Sequence, residues 1–124
     1  MKKMFRVFCI VIFILSLSAC SPAFNGSRTG NDREFIMEYK VFNTTDCQDL
    51  SLKAGDTIHA KIVVDGGSLA IKIQKDDEEP VYESDGISIS NEFDVTVEES
   101  GTYTVKLTGK KARGSVNFMV TANQ

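Results

Sequence analysis

The sequence has little of several residue types on which recognition and catalytic sites depend. It has no tryptophan, one histidine and two prolines among 124 residues. A sugar-binding platform usually presents several aromatic rings, so the lack of Trp argues against one. A single histidine cannot supply a histidine-rich metal site, and a nucleophile needs a partner base. We therefore expect His59 to face solvent beside Lys61, and a Cys47–His59 catalytic pair is not expected.

Long apolar runs are also missing. The run from Val7 to Leu17 has eleven residues, which is too few for a helix that must cross about 30 Å of hydrocarbon. This length fits the core of an export signal, as do the three basic residues within positions 2–6 and the small residues Ser18 and Ala19 at its end. The N-terminal segment is therefore predicted to be a signal peptide for export.

The segment Leu17-Ser18-Ala19-Cys20 resembles the lipobox of bacterial lipoproteins. The resemblance implies cleavage before Cys20, a diacylglycerol thioether on the Cys20 sulfur and an acyl group on the new amine. Two or three chains anchor a protein stably, whereas one gives only marginal binding. The implied location is the cell membrane or cell surface, outside the cytoplasm. Ordinary secretion with Cys20 in a disulfide, or a retained membrane segment, are the alternatives.

Cysteine is scarce, with three in the whole chain. Cys9 leaves with the signal and Cys20 carries lipid, so Cys47 is left alone. An exported chain with one remaining thiol cannot form an internal disulfide, and packing must hold it together. Cys47 is expected to be a buried small apolar residue; a free thiol or half of an intermolecular bridge are alternatives.

Removal of residues 1–19 leaves 105 of the 124 residues, enough for one domain with one core. Eleven of the fourteen basic residues and all seventeen acidic residues remain, so the mature net charge is −6 with His59 neutral. An acidic surface argues against nucleic acid and against direct adhesion to anionic lipid.

Residues 20–33 are predicted to be the lipidated cysteine and a flexible tether, because Ser21–Arg33 is rich in Ser, Gly, Asn and charge and has no period. The folded domain is predicted to span residues 34–124. Within it, apolar residues alternate with polar ones, which predicts strands with one wet face. The inward rows are Phe35–Val41, Leu50–Leu52, Ile58–Val64, Leu69–Ile73, Ile87–Ile89, Phe93–Val97, Tyr103–Leu107 and Val116–Val120, with a short strand at Val81–Glu83.

Turn signals separate these rows. Asp65-Gly66-Gly67 predicts a hairpin turn, which makes residues 57–75 a β-hairpin. Residues 54–56, 84–86 and 109–114 are predicted as further turns or loops. About seven or eight strands without any helical period predict an all-β fold, an antiparallel β-sandwich or jelly roll.

Residues 93–120 and the step Leu52-Lys53-Ala54-Gly55-Asp56 are similar to small extracellular β-sandwiches such as the bacterial pre-peptidase C-terminal domains, which share a G-T-Y-T-V-like strand after an acidic turn. The resemblance implies a sandwich fold and a cell-surface location, and fold does not dictate function. The Gly101-x-Tyr103 spacing also resembles a tyrosine corner, with a plain core tyrosine as the alternative.

One acidic group is the candidate for metal binding. Its members are Asp76, Asp77, Glu78, Glu79, Glu83 and Asp85. Calcium takes six to eight oxygen ligands from a bent loop, but the spacing does not match an EF-hand loop. A solvated turn that also guards a sheet edge is the simpler interpretation.

Two further features are candidates for ligand binding. Lys110, Lys111 and Arg113 could contact an anionic partner such as a phosphate-bearing wall polymer. The alternative is a solvent-exposed loop that binds no ligand. Tyr82 could stack on a sugar, although one ring makes a poor platform.

The sequence therefore predicts a non-enzymatic, lipid-anchored β-sandwich that binds or assembles with an envelope protein, a peptide or a wall polymer. The alternatives are a calcium- or ligand-binding accessory module that uses residues 76–85, and a small hydrolase built on carboxylates alone. No cofactor other than calcium is considered.

Overall fold

The computed structural model describes residues 23–122, and all of their regular structure is β-strand. The strands are β1 (Phe24–Gly30), β2 (Glu34–Phe42), β3 (Thr45–Leu52), β4 (Thr57–Lys75), β5 (Tyr82–Ile87), β6 (Asn91–Thr96) and β7 (Gly101–Thr121). Every pairing is antiparallel, which confirms the predicted all-β fold. Within this part of the chain no helix is long and apolar enough to cross a membrane. The predicted signal at 1–19 and Cys20 lie outside the described residues.

The two longest strands organise the sheet. β4 and β7 pair along their whole lengths, from Thr57 opposite Thr121 to Lys75 opposite Tyr103, with bulges between Val64 and Ser68. On one side of these bulges they pair with β6 and β2, and on the other side with β5 and β3. The sheet thus folds over at the bulges into a five-stranded half (β1-β2-β7-β4-β6) and a four-stranded half (β3-β7-β4-β5). We call residues 64–68 and 109–114 the bend.

One hydrophobic core lies between the halves. In β4 the buried residues are even-numbered before the bend, Ile58 to Ile62, and odd-numbered after it, Leu69 to Ile73. β7 shows the same change, from Tyr103–Leu107 to Val116–Phe118. A bulge adds one residue to a strand, so the alternation shifts by one and the same face of the sheet stays inward on both sides of the bend.

The predicted hairpin at 57–75 and the predicted loop at 109–114 are therefore wrong. Both segments continue a strand through the bend. Gly67 and Lys111 have φ of 68° and 51° there, so the bend needs the same backbone conformation that a hairpin turn needs. The predicted loop at 84–86 is likewise wrong, since it lies inside β5.

Three predicted core positions also differ. A register shift between Tyr39 and Phe42 turns Phe42 inward in place of Val41. Ile89 lies in the connection between β5 and β6 and is 78% exposed. Cys47, expected to be buried, is exposed on β3. It lies among polar residues on a strand that pairs on one side only, so the burial preference of cysteine does not decide its position.

The predicted tether at residues 20–33 is contradicted over half of its length, because Phe24–Gly30 forms β1 and pairs with β2. The Phe24 ring packs edge-on against Phe42, with centroids 6.1 Å apart. The rest of β1 is exposed. A strand that is exposed to solvent on both faces needs no alternating pattern, so β1 has no hydrophobic period to detect.

Side chains join the open edges of the two halves. On one side, Arg28 of β1 reaches β3: its Nε lies 2.7 Å from the Asp46 carboxylate and its Nη2 donates to the Cys47 carbonyl oxygen at 2.8 Å. On the other side, Tyr82 of β5 stacks on Phe93 of β6, with ring centroids 4.1 Å apart. Each contact covers the core where the sheet does not close on itself.

Replacing Arg28 with alanine is expected to lower the free energy of unfolding by about 1.5–3 kcal/mol, because charge-assisted hydrogen bonds across the edge are lost. The guanidinium also lies 4.7 Å from the centroid of the Phe35 ring. Urea denaturation measures the change, and Thr29→Ala, at the exposed neighbouring position on β1, is the matched control. Equal stability of Arg28→Ala and the unmodified chain would mean that the Arg28 contacts with β3 do not stabilise the fold.

Candidate functional site

A cleft of about 580 Å³ opens beside the bend, between β1, β2 and β7. We call it the corner cleft. Its lining includes Glu38, Tyr39, Lys40, Asp65 and Arg113. Side chains of both charges thus lie around one concavity, and polar groups that converge on a cleft can fix the orientation of a ligand.

The bend positions these side chains. Arg113 donates from Nη2 to the Asp65 carbonyl oxygen at 2.9 Å, which ties the guanidinium to the opposite strand of the bend. Gly114 has φ of 146°, and a Cβ there would collide with the Val63 carbonyl oxygen. Only glycine therefore allows β4 and β7 to approach this closely where the floor of the cleft forms.

Tyr39 is 5% exposed, and its burial raises the pKa of its hydroxyl to about 12. The cause is desolvation, which disfavours the phenolate. At neutral pH the hydroxyl therefore keeps its proton and is both a donor and an acceptor of hydrogen bonds.

This shift predicts a loss of stability at high pH. An unfolded tyrosine titrates near 10 and Tyr39 near 12, so the folded state holds its proton more tightly and the stabilisation declines as pH rises between these values. The loss by pH 12 is about 2–3 kcal/mol. Chemical denaturation at pH 8 and pH 12 tests it: Tyr39→Phe should lose less stability over this interval than the unmodified chain. An equal loss in both chains would show that Tyr39 does not carry the effect.

The acidic residues Asp76–Glu79 lie at the opposite end of the sandwich from the bend, directly after β4. Lys75 lies between two carboxylates there, with Nζ 3.7 Å from Glu78 and 3.3 Å from Glu99. The hydrogen bond to Glu99 raises the pKa of the Lys75 ammonium. A lysine thus occupies the position between the carboxylates.

Glu83 and Asp85 lie apart from that turn, within β5. With Lys72 and Lys106 they line a second cleft, of about 450 Å³. Over residues 23–122, no group of three His, Cys, Asp or Glu side chains could hold a metal ion. The calcium hypothesis stays a prediction that metal titration would test.

The other candidate residues are dispersed. Lys110 and Lys111 lie in the bend but do not line the corner cleft, whereas Arg113 does. One face of the Tyr82 ring is covered by Phe93. His59 is exposed, as predicted, with Nδ1 2.5 Å from the Asp94 carboxylate.

The structure also shows the relative positions of Cys47 and His59. Cys47 is on β3 in the four-stranded half, and His59 is in the part of β4 that belongs to the five-stranded half. The two do not face each other on neighbouring strands.

The tyrosine corner is confirmed, because the Tyr103 hydroxyl donates to the Glu99 carbonyl oxygen at 2.7 Å.

The sequence did not point to the corner cleft. Glu38 and Lys40 look like ordinary outward residues of a strand, and Asp65 looks like part of a hairpin turn. They become neighbours only because β4 and β7 bend together and β1 adds a wall. The pair Gly66-Gly67 was the available signal, and it was assigned to a different turn.

No family model matches the sequence, and no curated protein is significantly similar to it. Among solved structures, a periplasmic inhibitor of g-type lysozyme from Aeromonas hydrophila, PliG, is similar to 82% of this chain over 91% of its own, with 17% identity and a TM-score of 0.47.

Two carbohydrate-binding modules are also similar. CBM4 covers 79% of this chain and 76% of its own, with 15% identity and a TM-score of 0.42. TmCBM61, in complex with β-1,4-galactotriose, covers 79% and 70%, with 15% identity and a TM-score of 0.41. At these TM-scores and identities the similarities do not indicate what this chain binds. The resemblances to bacterial lipoproteins and to pre-peptidase C-terminal domains stay predictions.

Proposed function

We propose that this chain is a lipid-anchored protein of the cell envelope whose β-sandwich is a non-enzymatic binding module. Cys20 carries the anchor, and the corner cleft contacts the partner. The observation that supports this best is the convergence of Glu38, Lys40, Asp65 and Arg113 around one cleft. These residues come from three strands that the bend holds together, so the site is built on rigid elements.

The chemistry of the cleft favours a polar, charged partner. Arg113 presents a planar fork that suits a carboxylate or a phosphate, and Glu38 and Asp65 suit ammonium or hydroxyl groups. A peptide segment of another envelope protein or a wall polymer carries such groups. We rank a carboxylate-based hydrolase lower, because Glu38 and Asp65 share the cleft with two cationic side chains, whereas a glycosidase-like site is built on two carboxyl groups that flank the substrate.

Capture from an envelope extract tests the proposal. The mature, lipidated chain is the bait, and Glu38→Gln/Lys40→Gln is the cleft variant. The matched control is Lys72→Gln/Glu83→Gln, which removes one basic and one acidic side chain from the second cleft. Loss of one charge-assisted hydrogen bond costs about 1.5–3 kcal/mol, so the cleft variant should capture its partner at least about tenfold less efficiently than the control.

Equal capture by both variants would overturn the assignment of the corner cleft. Turnover in a panel of hydrolase substrates, lost in Glu38→Gln, would overturn the non-enzymatic role.

A further inference from the structure

The charges of the folded domain are separated between its two ends. The end at the bend, residues 40–44, 64–68, 86–90 and 109–113, carries four basic residues and one acidic residue, Asp65. The four are Lys40, Lys110, Lys111 and Arg113, and all are exposed. The opposite end, at residues 31–33, 53–56, 76–81 and 97–100, carries eight acidic and two basic residues. The net charge of −6 is therefore distributed unevenly, with a basic end and an acidic end.

The chain enters the domain at the basic end. The Ala23 carbonyl oxygen accepts a hydrogen bond from the Asn43 N–H at 2.7 Å, and the Asn43 side chain in turn accepts one from the Lys111 N–H at 2.9 Å. Only Ser21 and Pro22 separate Ala23 from Cys20. Three residue steps span at most about 11 Å, so an anchor on Cys20 would hold the basic end close to the lipid surface.

We propose that the basic end of the sandwich docks through Lys110 and Lys111 on the anionic headgroups of the bilayer in which Cys20 is anchored. The inference rests on the lipid anchor of the proposed function and adds an orientation to it. The acidic turns then point away from the membrane. The bilayer is the occupant because the point of chain entry and the complementary charge coincide.

Screening decides whether the acidic end opposes this orientation. Each half of β4 has seven residues outside the bend, so the two ends lie about 23 Å apart. The Debye length at physiological ionic strength is about 8 Å, and repulsion of the acidic end is therefore mostly screened at that distance. The basic residues next to the anchor lie closer to the headgroups than the acidic end does, so screening weakens their attraction less. The net acidic charge argues against adhesion to anionic lipid only if the charge is spread evenly over the surface. In this domain it is not.

Lysine footprinting on vesicles tests the orientation. The lipidated protein is reconstituted into vesicles of phosphatidylcholine alone or with phosphatidylglycerol, labelled with acetic anhydride and read by mass spectrometry. With phosphatidylglycerol at low salt, Lys110 and Lys111 should be labelled about fivefold more slowly than Lys53 at the acidic end, the factor that corresponds to one basic residue near an anionic surface. High salt or phosphatidylcholine alone should reduce the difference.

A variant with two charges removed tests the orientation independently. Lys110→Gln/Lys111→Asn removes two charges, and asparagine tolerates the positive φ of position 111. The matched control is Lys72→Gln/Lys106→Gln. In the first variant the protection of Lys40 by phosphatidylglycerol should disappear, and in the control it should remain.

The outcomes separate the orientation from the anchor. Flotation with vesicles combined with uniform labelling of all lysines would overturn the orientation and leave the anchor intact. Absence of flotation with either vesicle would overturn the anchor, and the orientation with it.

Discussion

Replacing Gly67 with alanine is expected to destabilise the protein by about 2–5 kcal/mol, which is enough to unfold a marginal domain. Two costs add. The residue has φ of 68°, a left-handed conformation that costs an L-residue about 1–2 kcal/mol. A Cβ there would also collide with the Lys111 carbonyl oxygen and lie 2.5 Å from that of Lys110, and such overpacking costs about 1–3 kcal/mol.

Gly86 provides the matched control for this substitution. It has the same φ of 68°, and a Cβ there would meet nothing within 4 Å. Gly86→Ala should therefore cost only the conformational term of about 1–2 kcal/mol, and urea denaturation of both variants would isolate the collision at the bend. If the two variants were equally stable, the close approach of β4 and β7 at Gly67 would be wrong.

Replacing Cys20 with serine is expected to move the protein from the membrane fraction into the soluble exported fraction. Serine has no sulfur to carry the thioether. Each buried methylene of an acyl chain contributes about 0.8 kcal/mol, so two chains contribute on the order of 20 kcal/mol of membrane affinity. The four basic residues at the bend cannot replace this, because each contributes only about 1 kcal/mol near an anionic surface.

Cys47→Ser is the control for Cys20→Ser. Cys47 is exposed on β3 and has no disulfide partner in residues 23–122, so its replacement should leave the distribution between fractions unchanged. Fractionation followed by immunoblotting measures both variants. A Cys20→Ser protein that stayed fully in the membrane fraction would contradict the lipid anchor.

The sequence predicted the strands well where one face of a strand is buried and the other is exposed to solvent. Tyr103, Val105 and Leu107 alternate with the polar residues Thr104 and Lys106, and all three are buried. The register is specified because a slip by one residue would bury the polar row instead. The same reasoning identified the turn at residues 54–56 and the tyrosine corner at Tyr103.

The connectivity could not be predicted in the same way. A bulge at Gly66-Gly67 and a hairpin turn at the same glycines both change which residues of the following segment are buried. Deciding between them requires knowledge of which strand pairs with which, and that information lies in contacts distant in sequence, such as Ser68 with Lys110. The corner cleft depends on this pairing and was missed with it.

Edge positions were the other source of error. β1 has one partly buried residue, Phe24, and its place in the sheet depends on pairing with β2 and on Arg28. Backbone pairing leaves no mark in composition, so polar residues that read as a tether formed a strand. Cys47 also lies on an edge strand, and its predicted burial rests on the general preference of free cysteine, which does not hold at this exposed position.

Intact-mass analysis of the protein purified from its own cells is the most direct test of the lipid-anchored domain. The account predicts a chain that begins at Cys20 and carries the added mass of a diacylglyceryl group, with or without an acyl group on the amine. A chain that begins elsewhere, retains residues 1–19 or has an unmodified Cys20 sulfur would contradict it.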